Sequence, residues 1–561
     1  MAQRKFSKYS PPGNTCVKKF GIAGLLLLLV IPGFFVGCSS KNNSGRTPVN
    51  PPPPPATTST VTTYHNDNAR TGQNLNETTL TAANVNSSNF GLLFALATDG
   101  KVDAQPLYVP NLSVAGAKHN VVFIATEHGS VYGFDADSGT QLWQASILAS
   151  GETPSDDHGC GQITPEIGVT ATPVIDASIG AHGTIYLVGM SKDGSGNYHQ
   201  RLHALDLTTG AEEFGGPKEI QASYPGTGDN SSGGNVVFNP GQQVDRPGLL
   251  LLNGVIYTSW GSHCDIRPYG GWMIGYDEHA LGQVSVINFT PNGNEGALWM
   301  SGAGPAADSN GNIFALDGNG TFDATLNAQG FPSQGDFGNA FLKIATANRQ
   351  LTVADYFEMA NQSSENDSDE DLGSGGALVL PDLADNSGTT RHLAVGAGKD
   401  QNIYIVDRDA MGKFNPNSNN IYQEVQGALG GGVFSMPAYF NNTVYYGAVG
   451  DRIKAFSITT AKLGSTPASQ TANAFPYPGA TPSISANGIS NAILWAAENA
   501  NPAVLHAFDA ENLANELYNS SQASGGRDHF GAGNKFITPT VINGKVYVGT
   551  TNGVGVFGLL H

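Results

Sequence analysis

The sequence has few charged residues: Asp, Glu, Lys and Arg make up 13% of its 561 residues, against about 25% in an average soluble protein. Long helical proteins need abundant Glu, Lys and Arg on their solvent-facing sides, so this shortage excludes a coiled coil or a helical solenoid. Basic residues are the scarcer kind, 27 against 46 acidic ones, and the formal net charge is −19. A chain with that charge repels phosphate backbones, so we expect no nucleic-acid partner.

Several common catalytic signatures are also absent. The sequence contains no Gly-x-x-x-x-Gly-Lys loop, no His-Glu-x-x-His and no Gly-x-Ser-x-Gly. These motifs mark P-loop nucleotide hydrolases, zinc proteases and many serine hydrolases. The 72 glycines and the 40% of hydrophobic residues that are present instead favour a strand-rich fold with many turns.

The chain begins with basic residues followed by an apolar run over residues 20–37 that contains five consecutive leucines. This arrangement is typical of a secretion signal, which we assign to residues 1–37. The run ends in Val36-Gly37-Cys38, which resembles the lipobox of bacterial lipoproteins and implies lipidation of Cys38. Ordinary signal cleavage and an uncleaved anchor are the alternatives. We therefore expect a protein that is lipid-anchored in the bacterial cell envelope, with the periplasmic side of the outer membrane as a secondary expectation.

Residues 38–62 are rich in Ser, Asn, Thr and Pro, with five consecutive prolines at 51–55. Such a composition cannot form a hydrophobic core and extends as polyproline II, so this segment is predicted to be a linker. Residues 63–561 are predicted to form one domain, and we expect a monomer.

A strand pattern recurs through that domain. In its clearest copy, four strand-length apolar runs at residues 105–108, 121–125, 131–135 and 141–143 are separated by Gly, Asn or Asp turns. Eight copies begin near residues 105, 172, 249, 304, 377, 436, 482 and 538. The last copy lacks a fourth strand, whereas an unassigned strand at residues 92–96 precedes the first copy. If this strand completes the last copy, the ends meet and no free sheet edge remains. The pattern predicts an all-β propeller of eight four-stranded blades, with seven as the alternative.

Phe134-Asp135-Ala136-Asp137-Ser138-Gly139-Thr140-Gln141-Leu142-Trp143 and Ala204-Leu205-Asp206-Leu207-Thr208-Thr209-Gly210 resemble the pyrroloquinoline quinone (PQQ) repeat. This family includes quinoprotein alcohol dehydrogenases and the propeller lipoprotein of the outer-membrane barrel-assembly machinery. The resemblance covers roughly residues 90–560. Because enzymes and scaffolds share the repeat, it implies a fold and leaves the activity open.

In a blade of this kind, the loops after the second and fourth strands emerge on one face, and here they are the longer loops. Function is therefore expected on that face, around the central channel. The candidate residues there are Glu127, His128, Glu166, His263, Asp265, Arg267 and Lys399. Glu166 and Asp265 could hold a hard cation or act as a base, and Glu127, His128, His263, Arg267 and Lys399 are candidates for binding a cofactor or an anionic substrate. For each residue alone, a polar loop role is the alternative.

Cys160 and Cys264 lie in long loops on this face of neighbouring copies. In an exported protein we expect them to form a disulfide, with two free buried thiols as the alternative. PQQ alcohol dehydrogenases commonly place a disulfide between adjacent cysteines against the cofactor ring. This sequence has no Cys-Cys pair.

Three functions are expected from these features. The first is binding of a ligand or an envelope protein through the long-loop face. The resemblance implies a second, oxidation of an alcohol or sugar with PQQ and calcium, and a third, a scaffold similar to the barrel-assembly propeller. Surface binding by the aromatic residues Trp260, Tyr269 and Trp272 is a further possibility, with packing between blades as its alternative. The acidic run 367–371 has calcium-loop spacing, but we interpret it as a solvated loop.

Overall fold

The computed structural model describes residues 59–560. The signal peptide, Cys38 and most of the predicted linker lie outside the described residues. Among the described residues, no helix is long and apolar enough to cross a membrane. The described chain is mostly β, and its dominant unit is a small antiparallel sheet of four consecutive strands. Eight such sheets, numbered here by chain order, lie within residues 59–560.

The first four sheets have the following strands. Sheet 1 contains Leu107–Val114, Ala117–Ala125, Ser130–Asp135 and Gln141–Ser146. Sheet 2 contains Val174–Asp176, Thr184–Lys192, Tyr198–Asp206 and Lys218–Glu219. Sheet 3 contains Leu250–Leu252, Val255–Ser262, Trp272–Asp277 and Gln283–Asn288. Sheet 4 contains Ala306–Ala307, Asn312–Leu316, Phe341–Ala345 and Thr352–Glu358.

The other four sheets continue the pattern. Sheet 5 contains Leu378–Val379, Leu393–Gly396, Ile403–Asp407 and Gln423–Val425. Sheet 6 contains Ala438–Phe440, Thr443–Tyr446, Lys454–Thr459 and Ser469–Gln470. Sheet 7 contains Ser483–Asn487, Ser490–Glu498, Val504–Asp509 and Glu516–Asn519. Sheet 8 contains Thr540–Ile542, Lys545–Thr550, Gly553–Leu559 and the early strand Phe90–Ala97.

Short strands and helical segments lie mainly in the connections between and within the eight sheets. The short strands are Gln73–Asn74, Thr153–Pro154, Ser223–Pro225, Ser231–Ser232, Asn235–Val237, Gln243–Val244, Leu383–Ala384, Thr390–Arg391, Lys413–Phe414 and Lys462–Leu463. The helical segments are the α-helix Gln362–Ser368 and the 3-10 turns Met300–Gly302, Ala347–Arg349, Leu372–Ser374 and Ser524–Gly526.

The strand that precedes the repeats closes the last sheet. Phe90–Ala97 pairs antiparallel with Gly553–Leu559, near the end of the chain. One hydrophobic cluster then joins sheet 8 to sheet 1, because Tyr547 and Val556 pack with Phe123. The pairing of this early strand with the last strand was expected from the unassigned strand at 92–96, and it supplies the fourth strand that the last copy lacks.

The aspartates that end many third strands have a structural role. Oδ1 of Asp135 accepts the backbone N–H groups of Asp137 and Ser138 at 3.0 and 2.7 Å. Asp206 and Asp277 accept the N–H two residues ahead in the same way, at 2.9 Å each. These Asx turns connect the third and fourth strands. The most regular feature of the repeat therefore supports the fold and carries no chemistry of its own.

Residues 61–74, called here the strap, contact the first strand of all eight sheets. The hydrogen bonds are Val61 N–H to Tyr108 O, Ile175 N–H to Thr62 O, Asn68 Nδ2 to Leu251 O, Ala307 N–H to Asn68 O, Val379 N–H to Ala69 O, Tyr439 N–H to Thr71 O, Ile484 N–H to Gly72 O and Asn74 Nδ2 to Val541 O, at 2.6–3.0 Å. Eight first strands thus surround one segment, which places them at the centre of the molecule. The strap begins within the segment that composition assigned to the linker.

Candidate functional site

A cavity of about 370 Å³ opens on the face formed by the long connections. Its lining residues lie at the end of a second strand, or in a segment that follows a second or a fourth strand. This is the face on which loop length predicted a site. Three of the predicted residues, His263, Asp265 and Lys399, line the cavity together with Cys160 and Cys264.

Four aromatic rings form a continuous wall of this cavity. Trp299 lies 6.0 Å from Phe434, Phe434 lies 5.6 Å from Tyr477, and Tyr477 lies 6.4 Å from Phe536, measured between ring centroids. Tyr477 is 43% exposed although it is a large aromatic residue. Aromatic and apolar walls with a few charged groups are typical of small-molecule sites.

Lys399 forms the main ion-pair cluster at the cavity. Its Nζ lies 2.5 Å from Asp369 Oδ1 and 2.6 Å from Asp371 Oδ1, and the Trp299 indole donates to Asp371 Oδ2 at 3.0 Å. Burial alone would lower the pKa of Lys399, but Asp371 and Asp369 outweigh burial and raise that pKa. The ammonium is therefore retained, and it offsets one of the two negative charges that Asp369 and Asp371 would carry.

The position of Asp371 shows that the interpretation of the acidic run 367–371 was wrong at this residue. The run was interpreted as a solvated loop, but Asp371 is buried and lines the cavity.

Two of the aromatic residues considered for surface binding have the alternative role, packing. Trp260 and Trp272 are buried and opposite each other across two strands of sheet 3, so they pack the sheet.

His263 is a buried wall residue of the cavity. Its ring stacks on that of His158 with 3.9 Å between centroids. Burial, with a smaller contribution from His158, lowers the pKa of His263 to about 4. Nε2 of His263 has no hydrogen-bond partner among the described residues. The imidazole is thus neutral at pH 7 and offers the site a lone pair or an N–H, depending on its tautomer.

The disulfide and Asp265 form another part of the rim. Cys160 and Cys264 are bonded, with 5.5 Å between their Cα atoms. The bond joins the connection between sheets 1 and 2 to the loop between the second and third strands of sheet 3. In the same loop the hydroxyl of buried Tyr269 donates to Asp265 Oδ1 at 2.8 Å. The disulfide therefore fixes two loops that shape the cavity mouth.

The other predicted residues do not line the cavity. His128 and Glu166 contact each other, with Nδ1 and Oε1 2.8 Å apart, and Arg267 forms two bonds of 2.9 Å with Asp229. Glu127 is fully buried and accepts hydrogen bonds from Gly168 N–H and Thr170 Oγ1 at 2.9 and 3.0 Å. Glu166 and Asp265, proposed together as metal ligands, are thus in separate environments.

The residues present do not fit a calcium ion. Among the described residues, no group of three or more His, Cys, Asp or Glu side chains is arranged to hold a metal. The cavity carboxylates of Asp369 and Asp371 are already paired with Lys399. Calcium requires six to eight oxygen ligands, so the donor set at this cavity does not suit it.

Sequence reasoning missed Arg246, Trp299, Phe434, Tyr477 and Phe536, all of which line the cavity. Each lies in a connection between consecutive sheets, outside the repeated strand pattern. Their only signal is position, since each lies shortly before a first strand. A survey of large or basic residues at those positions would have found them.

No protein-family model matches the chain, and no curated protein matches it. Solved structures do match. A quinohemoprotein alcohol dehydrogenase from Comamonas testosteroni gives a TM-score of 0.58 at 13% identity, over 89% of this chain and 80% of its own. A europium-containing methanol dehydrogenase gives a TM-score of 0.55 at 12% identity, over 89% of this chain and 98% of its own. BamB from Moraxella catarrhalis gives a TM-score of only 0.32 at 10% identity, over 84% of this chain and 99% of its own. A TM-score this low supports no argument. The described domain therefore has the fold of PQQ-type propellers.

Proposed function

We propose that this protein is an exported eight-bladed PQQ-like propeller that binds a small organic ligand in the central cavity of its long-loop face. The eight sheets around the strap support the blade number. The signal-like N-terminus supports export and attachment through Cys38. Metabolic labelling with a fatty-acid analogue that is lost in Cys38→Ala would test the anchor.

The cavity carries the functional part of the proposal. Its volume of about 370 Å³ is within the usual range for small-molecule sites, about 300–1,000 Å³. One wall is aromatic, and the cation Arg246, which forms no ion pair within residues 59–560, lines the same space. Such a site suits a flat molecule that carries negative charge.

PQQ is a suitable first probe because it is flat, aromatic and a tricarboxylate, and because structures with this fold include quinohemoprotein alcohol dehydrogenases. Arg246 would hold one of its carboxylates, and the aromatic wall would contact its ring. If bound, PQQ would supply a two-electron acceptor for oxidation. The calcium-dependent form of this function is not supported, because no group of three or more His, Cys, Asp or Glu side chains among the described residues is arranged to hold a metal. No contact surface of the described residues favours the scaffold alternative.

Equilibrium dialysis of the full chain against PQQ, with calcium or with a chelator, tests the proposal. We expect saturable binding to one site that is unchanged by chelation. Gln162→Trp places a bulky side chain at an exposed cavity residue and should abolish binding. Gln350→Trp, exposed in the turn between the third and fourth strands of sheet 4, is the matched control and should bind normally.

Two results would contradict this function. One is the absence of saturable binding, and the other is binding that survives Gln162→Trp. A tenfold or greater loss of affinity on chelation would instead restore the calcium-dependent dehydrogenase hypothesis.

A further inference from the structure

Arg246 is a buried arginine at the inner end of the cavity. It lies in the connection between sheets 2 and 3, and the residue as a whole is only 7% exposed. Its guanidinium carbon lies 4.5 Å from the centre of the Phe536 ring. Arg246, Phe536 and the strap residue Tyr64 also line a much smaller void. Arg246 therefore lies between the cavity and the strap.

The guanidinium has no hydrogen-bond or ion-pair partner within residues 59–560. Its contact with the Phe536 ring is a cation–π contact. A guanidinium carries five N–H donors and remains charged at any physiological pH. The Arg246 nitrogens are not among the fully buried unpartnered polar atoms of the described chain, so they keep access to the cavity that Arg246 lines. They are therefore free to bind a ligand there.

The nearest acidic groups give Arg246 no hydrogen bond or close ion pair. Asp245 precedes Arg246 in the chain, and burial raises the pKa of Asp245 well above its ordinary value, which disfavours the charged form. Although burial opposes it, a hydrogen bond with Glu127 and the charges of Lys101 and Arg246 lower the pKa of Asp103, which also accepts a hydrogen bond from Asn534 and lies 3.9 Å from Lys101 Nζ. Burial, followed by the repulsion of Asp103, raises the pKa of Glu127.

The same region contains further positive charge. Lys535 borders both the small void and Arg246, and its Nζ contacts only the uncharged Gln162 Oε1, at 3.1 Å. Burial, followed by the repulsion of Arg246, lowers the pKa of Lys535. Three cations, Lys101, Arg246 and Lys535, thus interact with the carboxylate of Asp103, whose pKa is lowered. The inner end of the cavity has an excess of positive charge and unused N–H donors.

We infer that Arg246 binds the carboxylate, or an equivalent oxyanion, of the cavity ligand, whose flat apolar body lies against Trp299, Phe434 and Tyr477. The guanidinium carbon of Arg246 lies over the Phe536 ring, a contact that uses none of its N–H donors and leaves them for the ligand. The planar fork of arginine suits a carboxylate because it can donate two parallel hydrogen bonds. The inference rests on the proposed function and adds the chemical class of the ligand.

The test uses two probes of nearly equal shape, 2-naphthoate and its uncharged amide, 2-naphthamide. Titration calorimetry of the full chain should show the carboxylate binding about 10–100-fold more tightly than the amide, as expected for hydrogen bonds to a charged group. Arg246→Gln should remove this preference by weakening carboxylate binding more than amide binding, since the amide oxygen accepts hydrogen bonds but carries no charge. Arg246→Lys should restore it in part, because lysine keeps the charge but not the fork.

Arg452→Gln is the control, because Arg452 is exposed and lies outside the cavity lining; it should keep the full preference. Equal affinity for both probes, or a preference that persists in Arg246→Gln, would overturn the assignment of Arg246. If both probes bind and Gln162→Trp abolishes their binding, the cavity function stands even when the charge preference is absent. Failure of both probes to bind would overturn the inference together with the cavity function.

Discussion

Two buried arginines, Arg70 in the strap and Arg246 at the cavity, show how differently the two ends of the central channel are built. Arg70 is fully buried and donates to Pro305 O, Thr63 Oγ1, Tyr64 O and Leu249 O at 2.7–3.1 Å. Arg246 is almost as buried and donates to no group in the described chain. An arginine side chain thus stabilises the fold at the strap end, whereas at the cavity end its N–H donors have no partner within residues 59–560.

The unsatisfied groups at the loop end are not confined to Arg246. Nε2 of His263, Oδ2 of Asp317 and both carboxylate oxygens of Glu358 are buried without hydrogen-bond partners among the described residues. At the strap end residues 61–74 are hydrogen-bonded to eight strands, six through backbone groups and two through the side chains of Asn68 and Asn74. Buried polar groups without hydrogen-bond partners usually occur at functional sites, whereas the regions that stabilise a fold keep their polar groups hydrogen-bonded. We therefore assign stability to the strap and binding to the loop end.

The largest effect is expected at the strap. Arg70→Gln leaves several buried carbonyl groups without donors, each of which costs about 1–3 kcal/mol. We expect the free energy of unfolding to fall by about 3 kcal/mol or more, measured by urea denaturation of the full chain. Arg452→Gln should change it by less than about 0.5 kcal/mol. If Arg70→Gln proves equally mild, the strap does not have the stabilising role given to it here.

An intermediate, pH-dependent effect is expected from Glu365, in the helix Gln362–Ser368 at the loop end. Burial, followed by the repulsion of Asp400, raises its pKa to about 8, and the hydrogen bond from Asn361 opposes this only in part. The folded protein therefore holds a proton that the unfolded chain releases near pH 4.3. The stability this proton provides is complete below that value and is lost as the pH rises through about 8.

Glu365→Gln should remove this dependence. Relative to the wild type, the variant should gain about 2–4 kcal/mol of unfolding free energy between pH 5 and pH 9. Glu511→Gln, at an exposed position, should follow the wild type throughout. Parallel pH profiles of the wild type and Glu365→Gln would show that Glu365 ionises normally in the folded protein.

The smallest stability effect is expected at Arg246. Because its guanidinium has no partner to lose, Arg246→Gln should change the free energy of unfolding by no more than about 1 kcal/mol. Comparison with Arg70→Gln in the same urea series checks this difference. Destabilisation of the two variants by similar amounts would mean that Arg246 supports the fold and would remove the contrast between the two ends.

The fold was largely readable from the sequence, because its signals are local. Strand-length apolar runs, Asx turns such as that at Asp135, and an unassigned strand at 92–96 were enough to predict four-stranded sheets and the pairing of the chain ends. The strap was not foreseen, since most of its contacts are made by backbone groups of residues 61–74. Backbone hydrogen bonds leave no pattern of side chains in the sequence.

The site was readable in part. Loop length identified the face, and residue chemistry identified His263, Asp265, Lys399 and the two cysteines. Convergence of side chains from distant connections cannot be inferred from spacing, so Glu166 was grouped with Asp265 although it contacts His128. Arg246 was missed because a lone arginine in a loop is usually solvated, and only the structure reveals its burial.

A crystal structure of the full chain with 6-bromo-2-naphthoate tests the central claim most directly, because the anomalous signal of bromine locates the ligand. We predict one bromine site in the cavity beside the wall of Trp299, Phe434 and Tyr477, with the carboxylate within hydrogen-bond distance of the Arg246 guanidinium. A ligand bound outside the cavity, or bound inside it with its carboxylate away from Arg246, would contradict the account.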